Sequence, residues 1–210
     1  MKKKIELEVV VDIVCPWCYV GKTTLLKAMD TLKDQIDFDV RILPFQLDPD
    51  VPVEGVSRAE YLTKKFGDGE RFAEAERRVV QAAKNAGAEM HFEKIQMQIN
   101  TMYCHRLIWL AGQDGKQLAV TNELYQAYYQ EGLDLSKKSN LAGVMARTGY
   151  DSQDILSFLE SSQGTREVEA LIGEVYSYGI SGVPFFILNR EVGISGAQPL
   201  EVFLQAFQEV

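Results

Sequence analysis

The chain has 210 residues, 46% of them hydrophobic, and a formal net charge of −8 from 22 basic and 30 acidic side chains. That size and apolar content suffice for one substantial core with an appended lobe, and the acidic balance with no basic stripe argues against nucleic acid or an anionic membrane as partner. The basic start Met1-Lys2-Lys3-Lys4 runs into Glu6 and Glu8 rather than an apolar stretch, so neither a signal peptide nor a membrane span is predicted and a cytoplasmic location is expected.

The first element is a strand. Ile5 to Val14 alternates and then turns continuously aliphatic and β-branched, as in a strand that begins half exposed and ends buried. From Gly21 to Leu32 the residues Leu25, Leu26, Met29 and Leu32 fall on one helical stripe. Between the two lies Cys15-Pro16-Trp17-Cys18. Cys15 is thereby expected at the mouth of the strand and the start of the helix, where unpaired N–H groups and a partial positive charge favour thiolate over thiol. A thiolate is the nucleophile of disulfide exchange. Cys15, nearer the helix start and solvent, is assigned the attack, and Cys18, one turn further in, the resolution of the mixed disulfide. Pro16 suits a first helical turn, where its missing N–H costs nothing. Trp17 either receives apolar segments of a polypeptide or covers the site, and the sequence leaves both open.

Other cysteine chemistry fits less well. Structural zinc needs about four ligands, and beyond this pair only Cys104, His91 and His105 remain. Cys104 and His105 are neighbours on a predicted helix and point roughly 100° apart, so no metal is predicted. Covalent haem attachment requires His after the second cysteine, where this chain has Tyr19.

The middle of the chain reads as helices over Arg58 to Ala86, Ile99 to Ala111, Leu118 to Glu131, Asn140 to Thr148 and Ser152 to Ser161. Glu76-Arg77-Arg78 reads as a solvated helix face. His105 lies in an apolar helical stretch, as a hydrogen-bonded packing residue or, in a supporting role, as a base; Cys104 beside it reads as a buried small hydrophobe. Gly179 to Asn189 brings two glycines and then Val183-Pro184 into a strand run, and X-Pro is the bond at which a cis peptide is cheap. Asn189-Arg190 suits a hairpin turn to Val192-Ile194, and Pro199 opens a last helix with Leu200, Phe203, Leu204 and Phe207 as its buried stripe.

Cys-Pro-Trp-Cys at 15 to 18 together with Gly-Val-Pro-Phe-Phe at 182 to 186 resembles the thioredoxin superfamily, and the Val before the proline resembles its DsbA branch. Pro184 stands 166 positions after Cys18, far more than a minimal thioredoxin domain needs. The resemblance implies an α/β thioredoxin-like fold with an inserted all-helical domain. Residues 1–50 and 170–210 form the discontinuous thioredoxin-like part, residues 51–169 the insertion, and the active groove lies between. Asp12 to Gly21, Asn100-Thr101 with His105-Arg106-Leu107, Leu124 to Tyr128 with Asp134-Leu135, and Ser195 to Pro199 are similar to the FrnE-like subgroup of dithiol–disulfide oxidoreductases or isomerases.

That resemblance implies catalysis by Cys15 and Cys18, with Gly182, Val183 and Pro184 docking the substrate. Kappa-class glutathione transferases and 2-hydroxychromene-2-carboxylate isomerases resemble the same architecture but carry serine where this chain has Cys15. Through them Asn100, Ser195 and Gly196 become candidates for lining a small-thiol site, against the plainer reading as turn and helix residues. The expected partners are thiol or disulfide substrates, polypeptide or small molecule. No bound cofactor is expected, with glutathione as a redox partner or ligand; the oligomeric state stays open. A peptide-binding holdase is the non-enzymatic alternative.

Overall fold

The computed structural model describes residues 2–67 and 70–210, leaving the side chains of 70 and 71 aside. Strand β1 (Lys3–Val11) lies parallel to β2 (Ile36–Pro44), in register from Lys3 opposite Ile36 to Val11 opposite Pro44. Helix α1 (Pro16–Leu32) makes the crossover between them. On its other side β1 pairs antiparallel with β5 (Phe185–Leu188), and β6 (Val192–Ser195) closes the order β2-β1-β5-β6. The β5–β6 connection, residues 189–191, carries the expected Asn189-Arg190, both at positive φ, and the Glu191 N–H closes the turn on the Leu188 carbonyl at 2.9 Å.

The pattern of β1 follows from its central place. Ile5, Leu7 and Val9 face a core built with Leu25 and Ala28 of α1, Phe186, Leu188, and Phe203 and Phe207 of α9 (Leu200–Glu209). Val10 faces the opposite side, where Leu43, Phe45, Ile180 and Val175 of α8 (Thr165–Ser177) form a second cluster. Successive strand residues point to opposite faces, so a run apolar at every position marks a strand covered on both sides.

Between β2 and α8 the chain forms α2 (Arg58–Phe66), α3 (Glu70–Ala86), α4 (Met102–Gly112), α5 (Gln117–Tyr129), α6 (Lys138–Ala146) and α7 (Ser152–Glu160). A two-stranded antiparallel ribbon, β3 (Val56–Ser57) with β4 (Met97–Gln98), accompanies the helices. Among the described residues no helix is long and apolar enough to cross a membrane.

Several boundaries differ from the sequence reading, each for a local reason. β1 stops at Val11 rather than Val14, because the Cys15 N–H turns back to the Asp12 carbonyl at 3.1 Å. The single helix expected over 58–86 is two helices, since Gly67 ends α2 at φ 70°, and residues 68 and 69 of that span lie outside the described ones. α4 begins at Met102 rather than Ile99, because the Asn100 side chain takes the Met102 N–H at 3.0 Å. The expected border at 169–170 falls within α8.

Candidate active site

The cysteine pair is placed by the end of β1. After the Asp12 turn, Cys15 is the N-cap of α1 with extended φ −89° and ψ 109°, and Pro16 occupies the first helical turn. The Cys15 carbonyl accepts the N–H of Cys18 at 3.1 Å, so Cys18 sits one turn inside the helix. Both sulfurs are free, and Cys18 is the more deeply buried. Burial pushes the Cys18 thiol well above its ordinary pKa, and the adjacent Cys15 thiol adds to the shift.

The second half of the site comes from the loop before β5. The Val183–Pro184 peptide is cis, and the Cys15 thiol lies 3.5 Å from the Val183 carbonyl, which accepts from it. Pro184 is buried, Val183 half-buried and Gly182 exposed. The Pro184 carbonyl accepts the Gly196 N–H at 2.8 Å, and Ser195 pairs with Phe185 across the hairpin, so these two residues buttress the loop. Gly21, given no role by the sequence, explains the close approach of the two halves. A Cβ there would stand 3.0 Å from Pro184 Cγ, 3.1 Å from Phe186 Cζ and 3.3 Å from Ala197 Cα.

The remaining candidates sit further back. Asn100 has its amide fully engaged: Nδ2 donates to the Val51 and Pro49 carbonyls at 2.7 and 3.3 Å, and Oδ1 accepts from Met102 and Gln46. It ties the 46–51 segment to the start of α4. His105 is buried, with Nε2 2.9 Å from the Phe45 carbonyl and 3.4 Å from Asp12 Oδ1. Cys104 is buried, which raises its thiol pKa.

Two residues given no role on sequence grounds belong to this neighbourhood. Asp12 is a buried carboxylate whose Oδ2 accepts the Leu47 N–H at 2.8 Å and whose carbonyl accepts both the Cys15 N–H and the Tyr125 hydroxyl at 3.1 Å. Its signal is a carboxylate closing an apolar strand three positions before a cysteine. Lys22, on α1, is buried with Nζ 2.6 Å from Asn122 Oδ1 and over the rings of Tyr19 and Tyr125 at 5.6 and 5.7 Å. Burial lowers its pKa to about 8. Nothing in the amphipathic pattern of α1 distinguishes it from an exposed lysine.

Residues 6–208 match the family model described as a DSBA-like thioredoxin domain. The crystal structure of a probable DsbA oxidoreductase from Streptomyces coelicolor is similar at 30% identity and TM-score 0.88, covering 98% of this chain and 89% of that one. The uncharacterized protein YwbO of Bacillus subtilis (strain 168) is 24% identical over 98% of this chain and 96% of its own. The cytosolic disulfide reductase DsbM of Pseudomonas aeruginosa, 17% identical with TM-score 0.67 over 97% of this chain and 98% of its own, shares the fold.

Proposed function

The chain belongs to the DSBA-like thioredoxin domain family, and on that premise we propose that it exchanges thiols and disulfides through Cys15 and Cys18. The observation that supports this reading is the placement of the pair: Cys15 caps α1 against the Val183 carbonyl and Cys18 lies one turn behind it, and both are buried, Cys15 at 4% exposure rather than open to solvent as the sequence suggested and Cys18 at 0%. In the reductive direction the Cys15 thiolate attacks one sulfur of a substrate disulfide, the substrate S–S bond breaks, and the departing sulfur takes a proton. Cys18, losing its own proton, then attacks the Cys15 sulfur of the mixed disulfide and releases the second substrate thiol. Two electrons pass to the substrate, and a Cys15–Cys18 disulfide remains. Val183 and Pro184 dock the substrate backbone beside Cys15.

Trp17 brings no charge to stabilise a thiolate, which supports reduction or isomerisation over strong oxidation. The DsbM relative, a cytosolic disulfide reductase also solved with GSH, supports the same direction, a cytoplasmic setting and glutathione as the redox partner. No bound cofactor is required. The test is trapping: Cys18→Ser incubated with a disulfide substrate accumulates a mixed disulfide at Cys15, and Cys15→Ser accumulates none. Turnover with glutathione that survives Cys18→Ser would instead favour a glutathione-dependent isomerase or transferase.

A further inference from the structure

Lys22 is a lysine at 1% exposure on the helix that carries the cysteine pair, and nothing in the exchange chemistry above uses it. Its partners are neutral: Nζ donates to the Asn122 side-chain oxygen at 2.6 Å and stands over the rings of Tyr19 and Tyr125. Glu123 of α5 is the carboxylate whose charge reaches it, and Glu123 is itself shared with Arg147 at 3.7 Å. A charge buried without a counter-ion of its own is costly to keep, and such groups concentrate where chemistry uses them.

The place of the charge says which chemistry. Cys18 and Lys22 are four positions apart on α1, a spacing that brings Cβ atoms to about 6 Å on one helix face. Helical side chains lean toward the helix N-terminus, and Lys22 follows that lean, with Nζ 5.6 Å from the ring centre of Tyr19, the residue directly after Cys18. The second ring under the ammonium leads to the same spot. The Tyr125 hydroxyl donates to the Asp12 carbonyl, which also accepts the Cys15 N–H. Burial, then the charges of Cys18 and Cys15, push that hydroxyl well above its ordinary pKa, so the ring lies between the ammonium and the sulfurs.

We infer that the Lys22 ammonium is a positioning residue for disulfide exchange, supplying the positive charge that lets the buried Cys18 ionise in the resolving step. The inference rests on the exchange reading above. In that step Cys18 gives its proton to solvent and attacks the Cys15 sulfur of the mixed disulfide. The Cys15–Cys18 bond forms, the bond from Cys15 to the substrate sulfur breaks, and that sulfur leaves with the electron pair and takes up a proton. At 0% exposure Cys18 has no water to stabilise its thiolate. A unit charge about 10 Å away, at an effective dielectric of about 20, favours a thiolate by roughly tenfold. Cys15 depends on Lys22 less, since it stands two turns away at the helix N-terminus, where unpaired N–H groups serve it.

The test separates the two steps. Reduced full chain is mixed with excess dithiodipyridine, and the coloured thiol is followed by stopped flow: one equivalent leaves on attack by Cys15, a second on resolution by Cys18. Cys18→Ser, releasing the first alone, marks the boundary. In Lys22→Met the second phase is expected to slow about tenfold at pH 7 and the first by no more than about twofold. The titratable groups that meet Lys22 are Cys18 and Tyr19 on its own helix and Tyr125 and Glu123 on α5. Because Lys22 itself loses its proton near pH 8, the difference between the chains is expected to narrow to about twofold at pH 9. The wild type alone carries the same signature, a flattening near pH 8 in the rise of its second phase with pH, which needs no variant to fold. Equal slowing of both phases at every pH would mark a packing role and overturn the inference, as would an unchanged second phase. A wild type that releases a single equivalent would overturn the exchange reading itself.

Discussion

Cys18 and Lys22 stand one helical turn apart on α1, and burial acts on both in the sense that favours the neutral form. For Lys22 the consequence is measurable, because its folded pKa of about 8 lies below the ordinary 10.5. Below about pH 8 the lysine is charged in both states, and the folded chain bears the full cost of burying the charge. Between pH 8 and 10.5 the unfolded chain binds more protons than the folded one, so stability rises with pH across that window. We predict that denaturant titrations of wild type and Lys22→Met, taken from pH 7 to 10.5, diverge in slope. The wild type gains up to about 3 kcal/mol relative to the variant as pH rises. Parallel curves would mean that Asn122 and the two tyrosine rings hold the proton as well as water does.

At the scale of elements, two helices meet fixed backbone, α1 at the site and α4 at the end of α7. α1 approaches the Pro184 loop only because position 21 has no side chain. Gly21→Val is expected to cost about 2 kcal/mol by overpacking, and to slow adduct formation at Cys15 more than a surface mutation of equal destabilisation. Equal slowing would contradict the role of this contact. Arg106 of α4 donates to the carbonyls of Phe158, Ser161 and Gln163 at 2.8 to 2.9 Å, closing the end of α7. Arg106→Met leaves those carbonyls without their charged donor, a loss of about 3 kcal/mol, read as a Tm lower by roughly 6 to 12 °C in thermal denaturation. The elements also mark where the sequence was readable. The β5–β6 hairpin and α9 stand where their turn residues and apolar stripe put them, because each is specified locally. β2 and α8 went unread although Ile36, Phe38, Val40 and Ile42 alternate, since Asp37, Asp39 and Arg41 between them also suit a solvated turn. The two-residue strands β3 and β4 exist only through each other and carry no periodicity of their own.

Across the whole molecule, the central strand carries the design: β1 is covered on both faces, and its carboxyl end delivers Cys15 to the loop 168 residues later that faces it. Cys15, Cys18 and the Val183-Pro184 loop were legible as motifs, because the proposed thiol–disulfide exchange requires particular residues at particular spacings. The packing around them was not. Asp12, Gly21 and Lys22 acquire their surroundings from β5, α5 and the segment after β2, contacts between positions distant in sequence that no local pattern encodes. The central claim, that Cys15 and Cys18 form one reversible redox couple, is tested most directly by equilibrating the protein across glutathione redox buffers, trapping thiols by alkylation and following Trp17 fluorescence. The account predicts a single two-electron transition to an intramolecular Cys15–Cys18 disulfide, with Cys104 alkylated only after unfolding and the transition absent from Cys15→Ser and Cys18→Ser. A chain that forms no intramolecular disulfide at any poise would contradict it.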